Sequence, residues 1–102
     1  MKLSEAMLKG CKGTKKCIGV LGMGETKCCA LDAAMRGIGL KAAESDYNKL
    51  AAQYPELRQY IKDPLYTFDK GERYLSRAIM VRNDDLGWSR LKIAKWLKSI
   101  GF

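Results

Sequence analysis

The last twenty residues constrain the fold most, because a turn-rich segment there runs directly into an amphipathic helix. Residues 83–88 read NDDLGW, and Ser89 can then accept the first free amide of a helix over residues 90–100. One face of this helix carries four apolar residues, namely Ile93, Trp96, Leu97 and Ile100. Lysines occupy the other face. The pattern predicts a C-terminal helix whose apolar face packs on a core.

Helical spacing of apolar residues recurs through the rest of the chain. It predicts a first helix over residues 3–10 and an alanine-rich second helix that starts near Cys28 and ends at Gly37 or Gly39. A third helix is expected with Ser45 or Asp46 as its cap, and Pro55 breaks it before a short helical turn. Residues 62–71 are expected to form a loop, and residues 72–83 a fourth helix that precedes the C-terminal one.

Two short runs flank three central residues, Gly22, Met23 and Gly24, as in a β-hairpin. A two-residue turn at Gly22 and Met23 would place Cys17 opposite Cys28, although a neighbouring register remains open. At 102 residues the chain has room for one core. We therefore expect a mainly α, compact single domain over residues 1–102, with four to five helices and one small N-terminal β-hairpin at about residues 16–29.

The expected core combines the alanine-rich helix with the apolar faces of the last two helices. Small side chains allow that helix to pack closely against a neighbour. The predicted core residues are Cys29, Leu31, Ala34, Leu75, Ile79, Ile93, Trp96 and Leu97.

The net charge of +8 is concentrated at the two ends of the chain. Residues 1–30 carry +4, residues 31–85 are neutral, and residues 86–102 carry +4 with no acid. If the ends meet, they form one basic face suited to nucleic acid or another polyanion. The candidate polyanion-binding residues are Arg90, Lys92, Lys95, Lys98, Lys12, Lys15 and Lys16. A basic surface that only keeps a small domain in solution is the alternative.

The sequence offers no catalytic signature. The chain has no histidine, which removes the commonest general base and every Ser-His or Cys-His pair. The glycines of GVLGMGE lack the lysine and serine of a phosphate-binding loop and the strand-helix setting of a dinucleotide fold. We therefore expect a protein that is not an enzyme, with no catalytic and no cofactor-binding residues.

Four cysteines, Cys11, Cys17, Cys28 and Cys29, raise the question of a zinc site. Structural zinc sites favour two CxxC-like pairs, and adjacent cysteines point apart on a strand or a helix. A disulfide between Cys17 and Cys28 is unfavourable in a reducing cytosol. We therefore predict no metal site, reduced thiols and a buried Cys29.

The segment between the last two helices is expected to be structural. Asn83, Asp84 and Ser89 are the candidate capping residues, because short polar side chains accept amides that a helix leaves free. The predicted helix over residues 72–83, the short turn that contains Gly87 and the lysine-bearing helix over residues 90–100 also have the outline of a helix-turn-helix. Such a unit would present Ser89, Arg90 and Lys92 to nucleic acid.

Two segments carry a resemblance to a group of small uncharacterised bacterial and phage-encoded proteins. In that group a Cys-Ala-Leu helix start follows a short hairpin, as at residues 29–31, and a series of Asn-Asp, Trp, Ser/Thr, Ile-Ala and Trp closes the chain. The series stands here as Asn83, Asp84, Trp88, Ser89, Ile93, Ala94 and Trp96. The resemblance covers most of residues 3–39 and 75–101, and implies a shared compact fold without an established activity. Some relatives carry a cysteine pair in the middle region that this chain lacks.

Two functions follow as expectations. The first is a non-catalytic basic binding protein that engages nucleic acid or another polyanion through both ends of the chain. The alternative is an interaction or structural accessory domain that docks a partner, such as an acidic protein, through the C-terminal helical hairpin, residues 72–100. The start of the chain lacks the apolar region of a secretory signal and no membrane-spanning segment is present, so we expect a cytoplasmic location.

Overall fold

Five α-helices form most of the chain that the structure, a computed structural model, describes: residues 1–12, 15–16, 27–40 and 47–102. They are α1 (Leu3–Cys11), α2 (Ala30–Gly37), α3 (Tyr47–Gln53), α4 (Leu75–Asp84) and α5 (Arg90–Ser99). A 3-10 turn over Pro55–Arg58 follows α3, where Pro55 ends the α-helix. The predicted fold class, a mainly helical compact domain with a small hairpin, is confirmed.

The strands near the N-terminus pair differently from the prediction. Strand β1 (Lys15–Lys16) runs parallel to β2 (Lys27–Cys28), with Lys15 beside Lys27 and Lys16 beside Cys28. This pairing corrects the antiparallel register expected at these residues. The predicted turn and Cys17 fall in residues 17–26, outside the described residues.

An antiparallel hairpin lies instead in the middle of the chain. Strand β3 (Tyr60–Lys62) pairs with β4 (Glu72–Tyr74), which places Tyr60 opposite Tyr74 and Lys62 opposite Glu72. Residues 72–74 were expected to begin a helix, and that prediction is wrong. Aromatic and opposite-charge pairs across the strands stabilise the extended form, and α4 begins only at Leu75.

Helices α1 and α2 pack at backbone distance. An added Cβ at Gly10 would lie 1.6 Å from the Ala33 carbonyl oxygen, and one at Gly37 would lie 1.7 Å from the Ala6 carbonyl oxygen. Only glycine fits at the two positions, because any side chain would overlap the backbone of the other helix. Helices α1 and α2 therefore form a closely packed pair, with α4 in contact with α2 and α5 mainly in contact with α1.

Seven of the predicted core residues are buried, and Trp96 is not fully so. The indole of Trp96 is partly buried and packs against the edge of the core. Ile100, expected on the same apolar face, is exposed because α5 ends at Ser99 and the chain turns there. The apolar face of α5 is consequently narrower than the sequence pattern predicts, and Ile93, Ala94 and Leu97 supply its buried part.

Candidate polyanion-binding site

The two basic ends of the chain meet at the start of α1. Gly101 has a φ of +96° and lets the chain reverse after α5, so that the Phe102 amide donates to the Leu97 carbonyl oxygen at 2.9 Å. The Phe102 carbonyl oxygen then accepts two hydrogen bonds from Ser4, at 3.0 Å from the amide and 3.1 Å from Oγ. These contacts fix α5 alongside α1.

A groove of about 430 Å³ lies between α1 and α5. Its apolar lining consists of Leu8, Leu91 and Ala94. Leu91 is 50% exposed and Leu8 is 38% exposed, so the apolar surface of the groove is open to solvent. Two half-exposed leucines form a small apolar surface, since single exposed apolar side chains are normal on proteins.

Lysines from both ends of the chain line the same groove. Lys2 comes from the residue before α1, and Lys95 and Lys98 come from α5, one helical turn apart. The carboxylate in the lining is that of Glu5, which accepts a hydrogen bond from the Lys2 backbone amide at 2.8 Å. The groove therefore combines an apolar surface with a positive rim, and we call it the lysine groove.

A shallower depression of about 410 Å³ continues the lysine groove along α1. Glu5 and Leu8 line both, and the depression adds Lys9 and Lys12. Five lysines thus border one continuous strip with a single acid among its lining residues. Such a strip attracts anions by the summed field of its charges.

Two other predicted basic residues, Arg90 and Lys92, are not among the lining residues of the strip. The Lys92 ammonium lies 4.2 Å from the ring centroid of Trp88, in a cation–π contact. Arg90 is the first residue of α5 and is partly buried. Lys15 and Lys16 form β1, and their side chains lie outside the described part of the structure. Of the seven candidates, Lys12, Lys95 and Lys98 line the strip, and Lys2 and Lys9 are additions that the sequence did not single out.

The candidate capping residues have three different roles. Ser89 is the N-cap of α5, and its Oγ accepts from the Lys92 amide at 3.0 Å. Asn83 lies inside α4 rather than ending it, and its Oδ1 accepts from the Ala30 amide at 3.2 Å, so it caps the start of α2. Asp84 Oδ1 accepts a hydrogen bond from the Asn83 side chain at 2.8 Å.

A buried ion pair holds the C-terminal helical hairpin to the middle loop, and sequence reasoning missed it. Arg82 is 1% exposed and makes two hydrogen bonds to Asp63, from Nη1 at 2.7 Å and Nη2 at 2.8 Å. These bonds hold the pKa of Asp63 below its ordinary value, because they favour the ionised carboxylate more than burial disfavours it. The available signal was Arg82 itself, which shares the helical face of Leu75, Ala78 and Ile79 and so requires an acidic partner.

The rings of the two tryptophans surround the same guanidinium. The central carbon of Arg82 lies 3.7 Å from the ring centroid of Trp96 and 5.2 Å from that of Trp88. Trp88 also donates its backbone amide to the Arg82 carbonyl oxygen at 2.9 Å. The tryptophans are thus occupied with Arg82 and Lys92, and the apolar surface of the lysine groove comes from leucines instead.

The described residues contain no group of three or more His, Cys, Asp or Glu side chains placed to hold a metal ion. Cys11 and Cys29 form no disulfide within that part of the chain, and Cys29 is buried as the N-cap of α2. The side chains of Cys17 and Cys28 lie outside it. No helix among the described residues is long and apolar enough to span a membrane.

No protein-family model matches the chain, and no match was found among curated proteins or solved structures. The resemblance to small bacterial and phage-encoded proteins therefore stays a prediction.

Proposed function

We propose that the protein is a non-catalytic, cytoplasmic binding protein that engages the phosphate backbone of nucleic acid through the lysine groove. One observation carries the proposal: lysines from opposite ends of the sequence, Lys2 with Lys95 and Lys98, line a single groove. Flexible ammonium groups on a common strip suit the phosphates of a polyanion, which carry no sequence information. Binding through this strip would depend on charge and little on base sequence.

Fluorescence anisotropy of a labelled single-stranded oligonucleotide tests this proposal between about 50 and 200 mM salt. Replacing Lys2, Lys95 and Lys98 together by Gln should lower the slope of log K against log salt by about two, since each single-strand phosphate contact contributes roughly 0.7. The matched control replaces three exposed lysines outside the strip, Lys49, Lys62 and Lys70. Its slope should change by less than half as much. Absence of binding to any DNA or RNA at about 50 mM salt would refute the proposal.

The exposed leucines of the lysine groove favour a second candidate, an acidic amphipathic segment of a partner protein. Phosphates need no apolar surface, whereas a helix with acidic and apolar faces would use both the leucines and the lysines. Under this second candidate the partner docks on α5, rather than on the whole helical hairpin of residues 72–100. It predicts that an acidic amphipathic peptide binds and that Leu91→Gln weakens this peptide while leaving oligonucleotide affinity unchanged. An equal loss of affinity for the peptide and for the oligonucleotide would count against this candidate.

A further inference from the structure

Two exposed tyrosines stack on the hairpin of β3 and β4. Tyr60 and Tyr74 are 63% and 45% exposed, their ring centroids are 4.4 Å apart, and their planes meet at 24°. A side-chain hydrogen bond with Tyr74 raises the pKa of Tyr60. The cross-strand stack holds the two rings in a fixed arrangement while both remain partly open to solvent.

Beside this stack lies a pocket of about 320 Å³ lined by Tyr47, Arg58, Tyr74 and Ser76. Arg58 is held in place from two sides: its guanidinium carbon is 5.4 Å from the Tyr47 ring centroid, and its Nη2 donates to Asn48 Oδ1 at 2.5 Å. The lining residues therefore supply two aromatic rings, one positioned cation and one hydroxyl, and no carboxylate.

These groups fit a planar ring that carries a negative charge. Tyrosine rings stack on the face of any nucleobase, and a guanidinium forms paired hydrogen bonds with a phosphate. We propose that the Tyr47–Arg58–Tyr74 pocket binds one base and its adjoining phosphate from a single-stranded nucleic acid. A duplex keeps its bases stacked on each other and would not present one to the pocket.

The inference rests on the proposed function only in taking nucleic acid as the ligand, because the pocket and the lysine groove share no lining residue. The two sites also differ in the forces they use. Contacts between lysine and phosphate weaken steeply with salt, whereas stacking depends little on it. The pocket would therefore favour single strands and retain part of the affinity at high salt.

Amide chemical shifts of the full chain, titrated with uridine 5′-monophosphate, test the pocket. Uridine and inorganic phosphate serve as separate probes for the ring and for the charge. The nucleotide should shift the amides of Tyr47, Tyr74 and Ser76 and bind more tightly than either probe. Tyr74→Ala should weaken nucleotide binding by about tenfold, as removal of one base-stacking contact does. Arg58→Gln should also weaken it by about tenfold, because the paired hydrogen bonds to the phosphate are lost.

Two further variants make the result specific. Tyr74→Phe keeps the ring and should bind nearly as well as the unaltered protein, even if Tyr74→Ala disturbs the hairpin. Phe68→Ala removes an exposed aromatic residue outside the pocket lining and should leave nucleotide affinity unchanged.

Nucleotide shifts confined to Lys2, Lys95 and Lys98, or none at about 10 mM nucleotide, would overturn the pocket and leave the lysine groove to be judged by its salt slope. Shifts in the pocket without a change in slope for the groove variant would support the pocket and refute the groove. Equal shifts from phosphate alone would show an anion site without base stacking and would also overturn the inference.

Discussion

At the scale of single residues, Arg82 is the most consequential side chain in the molecule. A buried guanidinium is tolerated only where its charge is paired, and Asp63 supplies that pairing through both carboxylate oxygens. Arg73 adds a second positive charge, with its Nε 3.3 Å from Asp63 Oδ2. The guanidinium of Arg82 also contacts the face of Trp96. One residue thus joins the middle loop, α4 and α5.

The sequence predicted part of this arrangement. Trp96 was expected in the core because it falls with Ile93 and Leu97 at helical spacing, and it does pack against the core edge. One face of its ring packs on the buried Arg82 guanidinium, and the indole stays partly exposed. Asp63 lies 19 residues before Arg82 in a loop without periodicity, so no local pattern could have paired the two.

The first prediction concerns acid stability. The pKa of Asp63 is lower in the folded protein than in the unfolded chain, where it is about 4. The ionised carboxylate therefore contributes its full stabilisation above about pH 4, and this stabilisation is lost as the pH falls toward the folded pKa. Asp63→Asn should lower the free energy of unfolding by about 3 to 5 kcal/mol at pH 7, because the charge of Arg82 is left unpaired. In urea unfolding, this deficit should shrink steadily below about pH 4.

The control is Asp85→Asn, the same chemical change at an exposed position. Its unfolding curve should follow that of the unaltered protein at every pH. A deficit for Asp63→Asn that persisted unchanged down to about pH 2 would show that packing of the residue, rather than its ionisation, supplies the stability.

At the scale of elements, helix positions were predictable and strand pairing was not. Long periodic patterns and cap residues marked α1, α2 and α5, including the N-cap at Ser89. Strands of two or three residues are too short to show alternation. The sequence pattern therefore assigns β4 to the start of α4 and does not reveal the parallel pairing of β1 with β2.

The second prediction concerns the contact between α1 and α2. Gly10→Ala places a methyl group inside van der Waals distance of the Ala33 backbone, so the two helices must separate. The free energy of unfolding should fall by about 3 kcal/mol or more, at or beyond the upper range for overpacking. Gly39→Ala is the matched control, since nothing lies within 4 Å and only its φ of +95° is unfavourable. It should cost about 1 kcal/mol. Equal losses for both variants, measured by chemical denaturation, would contradict the close contact.

At the scale of the whole molecule, the lysine groove depends both on where the charges lie in the sequence and on how the fold brings the two ends of the chain together. The sequence showed that the excess charge lies at the two ends, but it could not show that they meet. Two hydrogen bonds join Ser4 to Phe102, residues 98 positions apart, and α1 packs against α5 beside them. The sequence predicts that lysines from the two ends form a basic surface. It does not predict the shape of the lysine groove, because the walls of the groove come from segments far apart in the chain.

The third prediction follows from linkage between binding and folding. An oligonucleotide that binds the folded chain at about 100 times its Kd stabilises it by about 2.7 kcal/mol. For a domain of this size, that should raise the Tm by more than about 10 °C at low salt. The variant with Lys2, Lys95 and Lys98 replaced by Gln should show less than half of the rise. A similar rise in both proteins would locate the binding elsewhere.

The crossing of α1 and α2 also limits how this protein can evolve. Ala6, Gly10, Ala33 and Gly37 meet where each backbone touches the other, so mutation there is confined to the smallest residues while the surface is free to change. A distant descendant that keeps the fold should retain glycine at the equivalents of positions 10 and 37 and small residues at 6 and 33. Those four positions would then mark common ancestry after the lysines, the tyrosines and even the tryptophans had been replaced.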